Sequence, residues 1–146
     1  MTFETTAQET YVTLRVYHPQ LDPEHLNGIF ECRPSHSWRI NEELVVAEDG
    51  STRKATTGGW LLSSKHAVRS LDVKDHLAWL IKQLTGHGGT INRLQKAGYS
   101  TDVVVAWFSD SWNTCPALTP QHMQDLANLR LPLWFDVYLN EQEPNF

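Results

Sequence analysis

A chain that grips nucleic acid through its phosphates carries a basic stripe, and this sequence has none. Its twelve Lys and Arg residues are scattered from Arg15 to Arg130, and seventeen Asp and Glu leave a net charge of −5. Such a balance predicts no nucleic-acid partner and no attraction to an anionic membrane. No apolar run approaches the ~18 residues that span a bilayer. The opening "MTFETTAQET" has neither a positive end nor an apolar stretch, so it does not read as a signal peptide. Cysteine is scarce: Cys32 and Cys115 are too few for a disulfide framework and read as free thiols in a reducing compartment. These absences together predict a cytoplasmic protein.

Catalytic motifs are missing too. There is no G-x-S-x-G, no phosphate-binding loop and no dinucleotide fingerprint. None of the seven histidines forms H-E-x-x-H or another close ligand pair, so no metal and no cofactor is expected. "GHGG" at 86–89 follows a helix rather than opening one, which makes it a poor phosphate cradle. His76 falls on the apolar stripe of a helix and reads as a satisfied core histidine. His25 and His122 each sit in a first helical turn, where the helix N-terminus disfavours positive charge. Packing or local hydrogen bonding is the expected role for both, and no catalytic residue is assigned.

What is present is a regular alternation of strand and helix patterns. "YVTLRVYH" (11–18) puts Val12, Leu14 and Val16 on one face and Tyr11, Thr13, Arg15 and Tyr17 on the other, as a half-buried strand does. "LDPEHL" (21–26) and "LTPQHM" (118–123) share Leu, Pro and His. In both, an Asp or Thr cap precedes a Pro at the first helical position, so both predict helix starts. Leu26, Ile29 and Phe30 form the stripe of the first helix; Met123, Leu126 and Leu129 form that of the second. Residues 31–40 read as extended but interrupted by Pro34. The polar stretch 41–57 holds a turn at "EDGS", with Val45 and Val46 on one hairpin arm. "GGWLLSS" (58–64) reads as a strand whose glycines permit a turn or a close approach.

The strongest helix is 72–85, capped by Asp72, with Val73, His76, Leu77, Leu80, Ile81 and Leu84 on one stripe. A shorter helix carries Ile91 and Leu94 and stops at Gly98. "DVVVAWF" (102–108) reads as a central strand. Residues 131–140 alternate again, with Leu131, Leu133, Phe135, Val137 and Leu139 apolar and Trp134, Asp136, Tyr138 and Asn140 opposite. The order predicts an α+β fold: a ferredoxin-like βαββαβ core extended by an αβ unit, mainly antiparallel, with helices on one sheet face. One domain over 1–146 is expected, with an ordered core at 11–140 and mobile tails at 1–9 and 141–146.

A face rather than a motif is the best candidate site. If helices cover the Val12/Leu14/Val16 and Leu133/Phe135/Val137 sides, the opposite side carries Tyr11, Thr13, Arg15, Tyr17, Trp134, Asp136 and Tyr138. Arg15 and Asp136 are expected to pair if their strands are neighbours. An exposed aromatic patch usually marks a contact surface; the blander alternative is a half-exposed face held by cross-strand aromatic pairs.

"PSHSWR" (34–39), "GGWLLSS", "DHLAWLIKQL" (75–84), "LTPQHMQDLANL" (118–129) and "LWFDVYLN" (133–140) occur in an order that resembles a bacterial family, domain of unknown function four-two-seven-nine. The likeness runs from about Tyr11 to Asn140. It implies a small single-domain protein without an established enzymatic activity, and it brings no catalytic residues with it. The functional expectation is a non-enzymatic binding module, such as an immunity-type protein that occupies a protein partner; a homodimer is the other partner expected. The acidic balance would suit a basic partner. The alternative is a small-ligand binder or enzyme with a pocket near the Arg15/Asp136 face, drawing on Arg15, His36, Trp38, Trp60, Asp136 and Tyr138. The candidate binding residues are therefore Arg15, Tyr17, His36, Trp38, Trp60, Trp134, Asp136 and Tyr138.

Overall fold

The computed structural model describes residues 7–110 and 114–139. In chain order the elements are β1 (Glu9–His18), α1 (Pro23–Phe30), β2 (His36–Trp38), β3 (Glu43–Val45), β4 (Thr52–Lys54) and β5 (Gly58–Ser63). Then follow α2 (Val73–Leu84), α3 (Gly88–Lys96), β6 (Ser100–Ser109), α4 (Pro120–Asn128) and β7 (Leu133–Leu139).

β1 alternates as its sequence predicts: Val12, Leu14 and Val16 are fully buried, while Tyr11, Thr13, Arg15 and Tyr17 are half-buried. It lies at the middle of a five-stranded sheet of order β2-β5-β1-β6-β7. Every neighbouring pair is antiparallel except β6 and β7, which are parallel. Side chains of one parity seal the core: Trp60 and Leu62 from β5, and Val103, Val105 and Trp107 from β6, join the three from β1. Against them pack Phe30 from α1, Leu77 and Leu80 from α2, Ile91 from α3 and Leu126 from α4. The four helices among the described residues thus contribute to the same side of the sheet. The class is α+β, and the order β2-β5-β1-β6 is consistent with the expected βαββαβ core, extended by α4 and β7. The β3–β4 hairpin forms a separate small sheet, as the turn at 48–51 predicts.

Both matching hexapeptides start helices. Asp22 accepts from the Glu24 amide at 3.1 Å, and Thr119 accepts from the His122 amide at 3.1 Å. Each cap satisfies an N–H that the helix leaves unpaired. Gly98 at φ 90° follows α3, where an L-residue would be strained. Two expectations need correction. Met123 is 51% exposed because α4 turns Leu126 rather than Met123 into the core. The N-terminal boundary also moves: Ala7 is buried and donates to the Leu71 carbonyl at 2.9 Å, and β1 begins at Glu9. The rest of the expected tails, at 1–6 and 141–146, lies outside the described residues.

His76 is buried, and both ring nitrogens are engaged. Nε2 lies 2.7 Å from the Ser70 carbonyl and Nδ1 lies 2.6 Å from Ser64 Oγ. A carbonyl only accepts, so Nε2 carries the proton and Nδ1 receives the Ser64 hydroxyl. Ser64 also accepts from the Val12 amide at 2.9 Å. A serine beside an oriented histidine has the form of a nucleophile and its base. Ser64 is 0% exposed and His76 1%, so no substrate reaches them. They tie α2 to the β1–β5 corner.

Candidate functional site: the open sheet face

The opposite face of the sheet lies away from the helical core, and register determines which side chains share it. Arg15 pairs with Leu61 of β5 and Asp102 of β6; Tyr17 pairs with Gly59, which itself pairs with Trp38 of β2. Tyr11 stands beside Ala106, and Phe108 beside Tyr138. With a side-chain period of two, His36, Trp38, Tyr17, Arg15, Asp102, Tyr11, Phe108, Trp134, Asp136 and Tyr138 all fall on this side.

These side chains form two touching groups. At the β2 end, His36 meets Trp38 with ring centroids 5.1 Å apart, Trp38 meets Tyr17 at 6.2 Å, and the Arg15 guanidinium lies 5.7 Å from the Tyr17 ring. Arg15 makes two parallel bonds to Asp102, each 2.7 Å. At the β7 end, Tyr138 stacks on Phe108 at 4.6 Å, Phe108 meets Tyr11 at 6.2 Å, and the Lys65 ammonium lies 5.2 Å from the Tyr11 ring. Tilted and offset aromatic pairs at these separations are favourable beyond their burial, and a cation over a ring adds to that.

Glycine makes the first group possible. A Cβ on Gly59 would fall 2.2 Å from the Trp38 ring, so the indole lies flat across β5 only because that position has no side chain. The Trp38 indole N–H donates to the Thr57 carbonyl at 2.9 Å, which holds the ring in that pose. Gly58 also serves a close approach, since a Cβ there would fall 2.8 Å from Leu21 Cβ.

The charges on this face are mostly internal. The bond to Asp102 keeps Arg15 charged and raises its pKa against the opposing effect of burial. Burial pushes the Tyr17 phenol up, with Arg15 partly offsetting that. The Tyr138 hydroxyl donates to Asp136 at 2.6 Å, and that bond raises its pKa. A cleft of about 260 Å³ opens beside Trp38, between Leu44 and Val46 of the hairpin arm and Arg53 and Lys54. A second, of about 370 Å³, lies by Phe108, Tyr138 and Leu139. Among the described residues, no three His, Cys, Asp or Glu side chains gather to hold a metal ion, and no helix is long and apolar enough to cross a membrane.

Seven of the eight sequence-named residues share this face: Arg15, Tyr17, His36 and Trp38 at one end, and Trp134, Asp136 and Tyr138 at the other. Trp60 does not. It has the opposite parity on β5, is 0% exposed, stacks on Phe30 at 4.9 Å and donates to Asn27 at 2.8 Å. The expected Arg15–Asp136 pair is also corrected. β6 runs between β1 and β7, and Asp136 stands beside Ala106 rather than Asp102. The two residues are therefore about 10 Å apart across the sheet and roughly 13 Å along it. Asp102 takes the place of Asp136. It opens the apolar run of β6, and its parity with Val104, Ala106 and Phe108 was the available signal for it and for Phe108.

With this geometry in hand, the comparison with known families has one result: the family described as Domain of unknown function (DUF4279) matches residues 8–140. The chain belongs to that family. No curated protein and no solved structure matched. Membership in this family brings no residue roles, so the function of this member is argued from its own surface.

Proposed function

We propose that this family member is a non-enzymatic binding module that takes a protein partner on the open sheet face. One observation carries the reading: a continuous sheet surface away from the helical core presents Tyr11, Tyr17, Trp38, Phe108, Trp134 and Tyr138 together. Aromatic side chains supply large contact area at low entropic cost and dominate the centres of protein interfaces. Arg15 is already paired with Asp102, so it acts as a fixed polar element rather than as a free anion clamp. Two further features support a protein over a small substrate: Arg15 and Asp136 stand apart, and the most reactive-looking pair, Ser64 and His76, is sealed in the core.

The net charge of −5 favours a basic partner. A bacterial immunity-type protein that occupies a basic toxin in the cytoplasm is the concrete form of this reading. The test is co-purification with the product of the neighbouring gene, followed by Trp38→Ala and Tyr17→Ala. Each substitution is expected to weaken the complex by roughly tenfold or more, as truncation of an interface aromatic does. A complex that neither substitution weakens would assign the contact to another surface.

A further inference from the structure

β7 has the composition of an interior strand and the position of an edge strand. Apolar side chains lie on both its faces, as expected of a strand covered on both sides. Yet Trp134, Phe135, Val137, Tyr138 and Leu139 are each 49–60% exposed. α4 connects β6 to β7 but packs chiefly on α2, leaving the helix-side face of β7 half open. Its outer edge pairs with no described residue. Leu133–Leu139 carries a single charge, Asp136, and no lysine, proline or bulge to guard the edge.

The backbone direction can be read from β6. The Val103 amide donates to the Pro132 carbonyl at 2.8 Å. In a parallel pair this turns the backbone groups of 134, 136 and 138 toward β6 and those of 133, 135, 137 and 139 outward. An antiparallel partner must bond to the outward set. For two copies of β7, a two-fold axis at Asp136 would set two carboxylates side by side, which is unfavourable. An axis at Phe135 draws on Leu133, which is already partly buried against the core. An axis at Val137 sets Val137 against Val137 and Phe135 against Leu139, and brings Asp136 of each copy opposite Tyr138 of the other. Asp136 already accepts from a tyrosine hydroxyl within its own chain, so the chemistry of that contact is present.

We infer that this edge is a self-association surface: β7 of two copies pairs antiparallel about a two-fold axis at Val137, joining two five-stranded sheets into one of ten. Pairing over 135–139 covers the outer backbone edge and the facing flanks of these side chains, on the order of several hundred Å² per copy, which suits a reversible dimer at the small end of specific interfaces. The second copy is preferred over a foreign strand because the register is self-complementary in both its apolar and its polar face. The dimer goes beyond the partner-binding reading, since the Trp38–Tyr17–Arg15 end of each open face stays free.

Sedimentation over a broad concentration range is expected to show a monomer–dimer equilibrium. Val137→Lys is expected to weaken it by roughly tenfold, because the axis sets the two ammonium groups directly opposite each other. In a chain carrying Cys32→Ser and Cys115→Ser, Val137→Cys is expected to form a disulfide dimer, since bonded antiparallel partners lie about 5.5 Å apart. Phe135→Cys and Leu139→Cys should cross-link efficiently only when mixed. A monomer at every concentration, a dimer unmoved by Val137→Lys, or a cross-linking pattern centred elsewhere would overturn the proposal. So would a monomer that instead takes up an added foreign strand peptide on this edge. Trp38→Ala should leave the dimer intact while weakening partner capture, so the two readings fail separately.

Discussion

β1 and β7 are written in the same alternating code, and the structure treats them differently. In β1 the apolar residues Val12, Leu14 and Val16 are 0% exposed. In β7 their counterparts Phe135 and Val137 are about half exposed, at 49% and 50%. Both sets point to the helix side of the sheet. Among the described residues, β1 has a strand on each flank and α2 above it, whereas β7 has one neighbouring strand and little cover. Alternation specifies a face, and the number of neighbours specifies how much of that face leaves water. The same side chain is therefore a core element at the centre of the sheet and a contact element at its edge.

The strongest way to break this comparison is to truncate one residue from each strand. Leu14→Ala is expected to cost about 2–5 kcal/mol, because it leaves a cavity among fully buried neighbours. Val137→Ala, measured on monomer, is expected to cost less than about 1 kcal/mol. Urea unfolding of both variants checks the difference, and equal costs would mean that β7 is covered in solution.

The acidic residues sharpen it next. Asp102 holds Arg15 through two bonds on a flank shielded from water, whereas Asp136, among the described residues, bonds the exposed Tyr138. Asp102→Asn is expected to cost roughly 1.5–3 kcal/mol, the range for bonds to charged groups. Asp136→Asn is expected to change stability by less than about 0.5 kcal/mol, as surface substitutions do. Thermal melts at matched salt distinguish the two.

The paired helix starts give a smaller contrast. Asp22→Ala and Thr119→Ala should each cost about 1 kcal/mol through the lost cap. Asp22 also bonds Arg39 at 2.7 Å, so its loss should be slightly the larger and should shrink as salt is added.

The smallest effect is a pH dependence. Burial raises the Tyr17 pKa in the folded state above its ordinary value of 10.0. The unfolded chain therefore releases that proton first. This contribution is full below pH 10 and is lost as pH rises through the folded pKa. Tyr17→Phe should flatten the alkaline limb of the stability curve; ultraviolet titration of the native protein should show Tyr17 and Tyr138 ionising later than an ordinary tyrosine, and Tyr17→Phe should remove one of these two late steps.

Much of the fold was legible one element at a time. The parity of 11–17, the stripe of 72–84 and the two Pro-initiated helix starts each depend on interactions within a few residues, and each recurs in the structure. Trp60 was not legible in this way. "GGWLL" is apolar on both sides of its alternation, so period alone does not say whether Trp60 or Leu61 turns to the helices. The error at Asp136 had the same origin. Nothing near it in the chain records that β6 inserts between its strand and β1.

The Met123 error was local but still tertiary. Its spacing suits an apolar stripe, and only the packing of α4 on α2 through its Leu126 side leaves it half exposed. Asp102 was hidden by its own context, an acidic residue opening an apolar strand, until register set it against Arg15.

By itself, the sequence determined the elements and their faces, because caps, turn glycines and apolar spacing act over a single turn or a single pleat. It also determined the aromatic content of the open face. Only the tertiary structure decided which strands are neighbours: that Arg15 meets Asp102, that Trp60 leaves the site for the core, and that β7 is the last strand of the described sheet. Strand order depends on chain segments that meet across the sheet far apart in sequence, as β1 and β6 do, and no short stretch of residues encodes where its distant partner will lie.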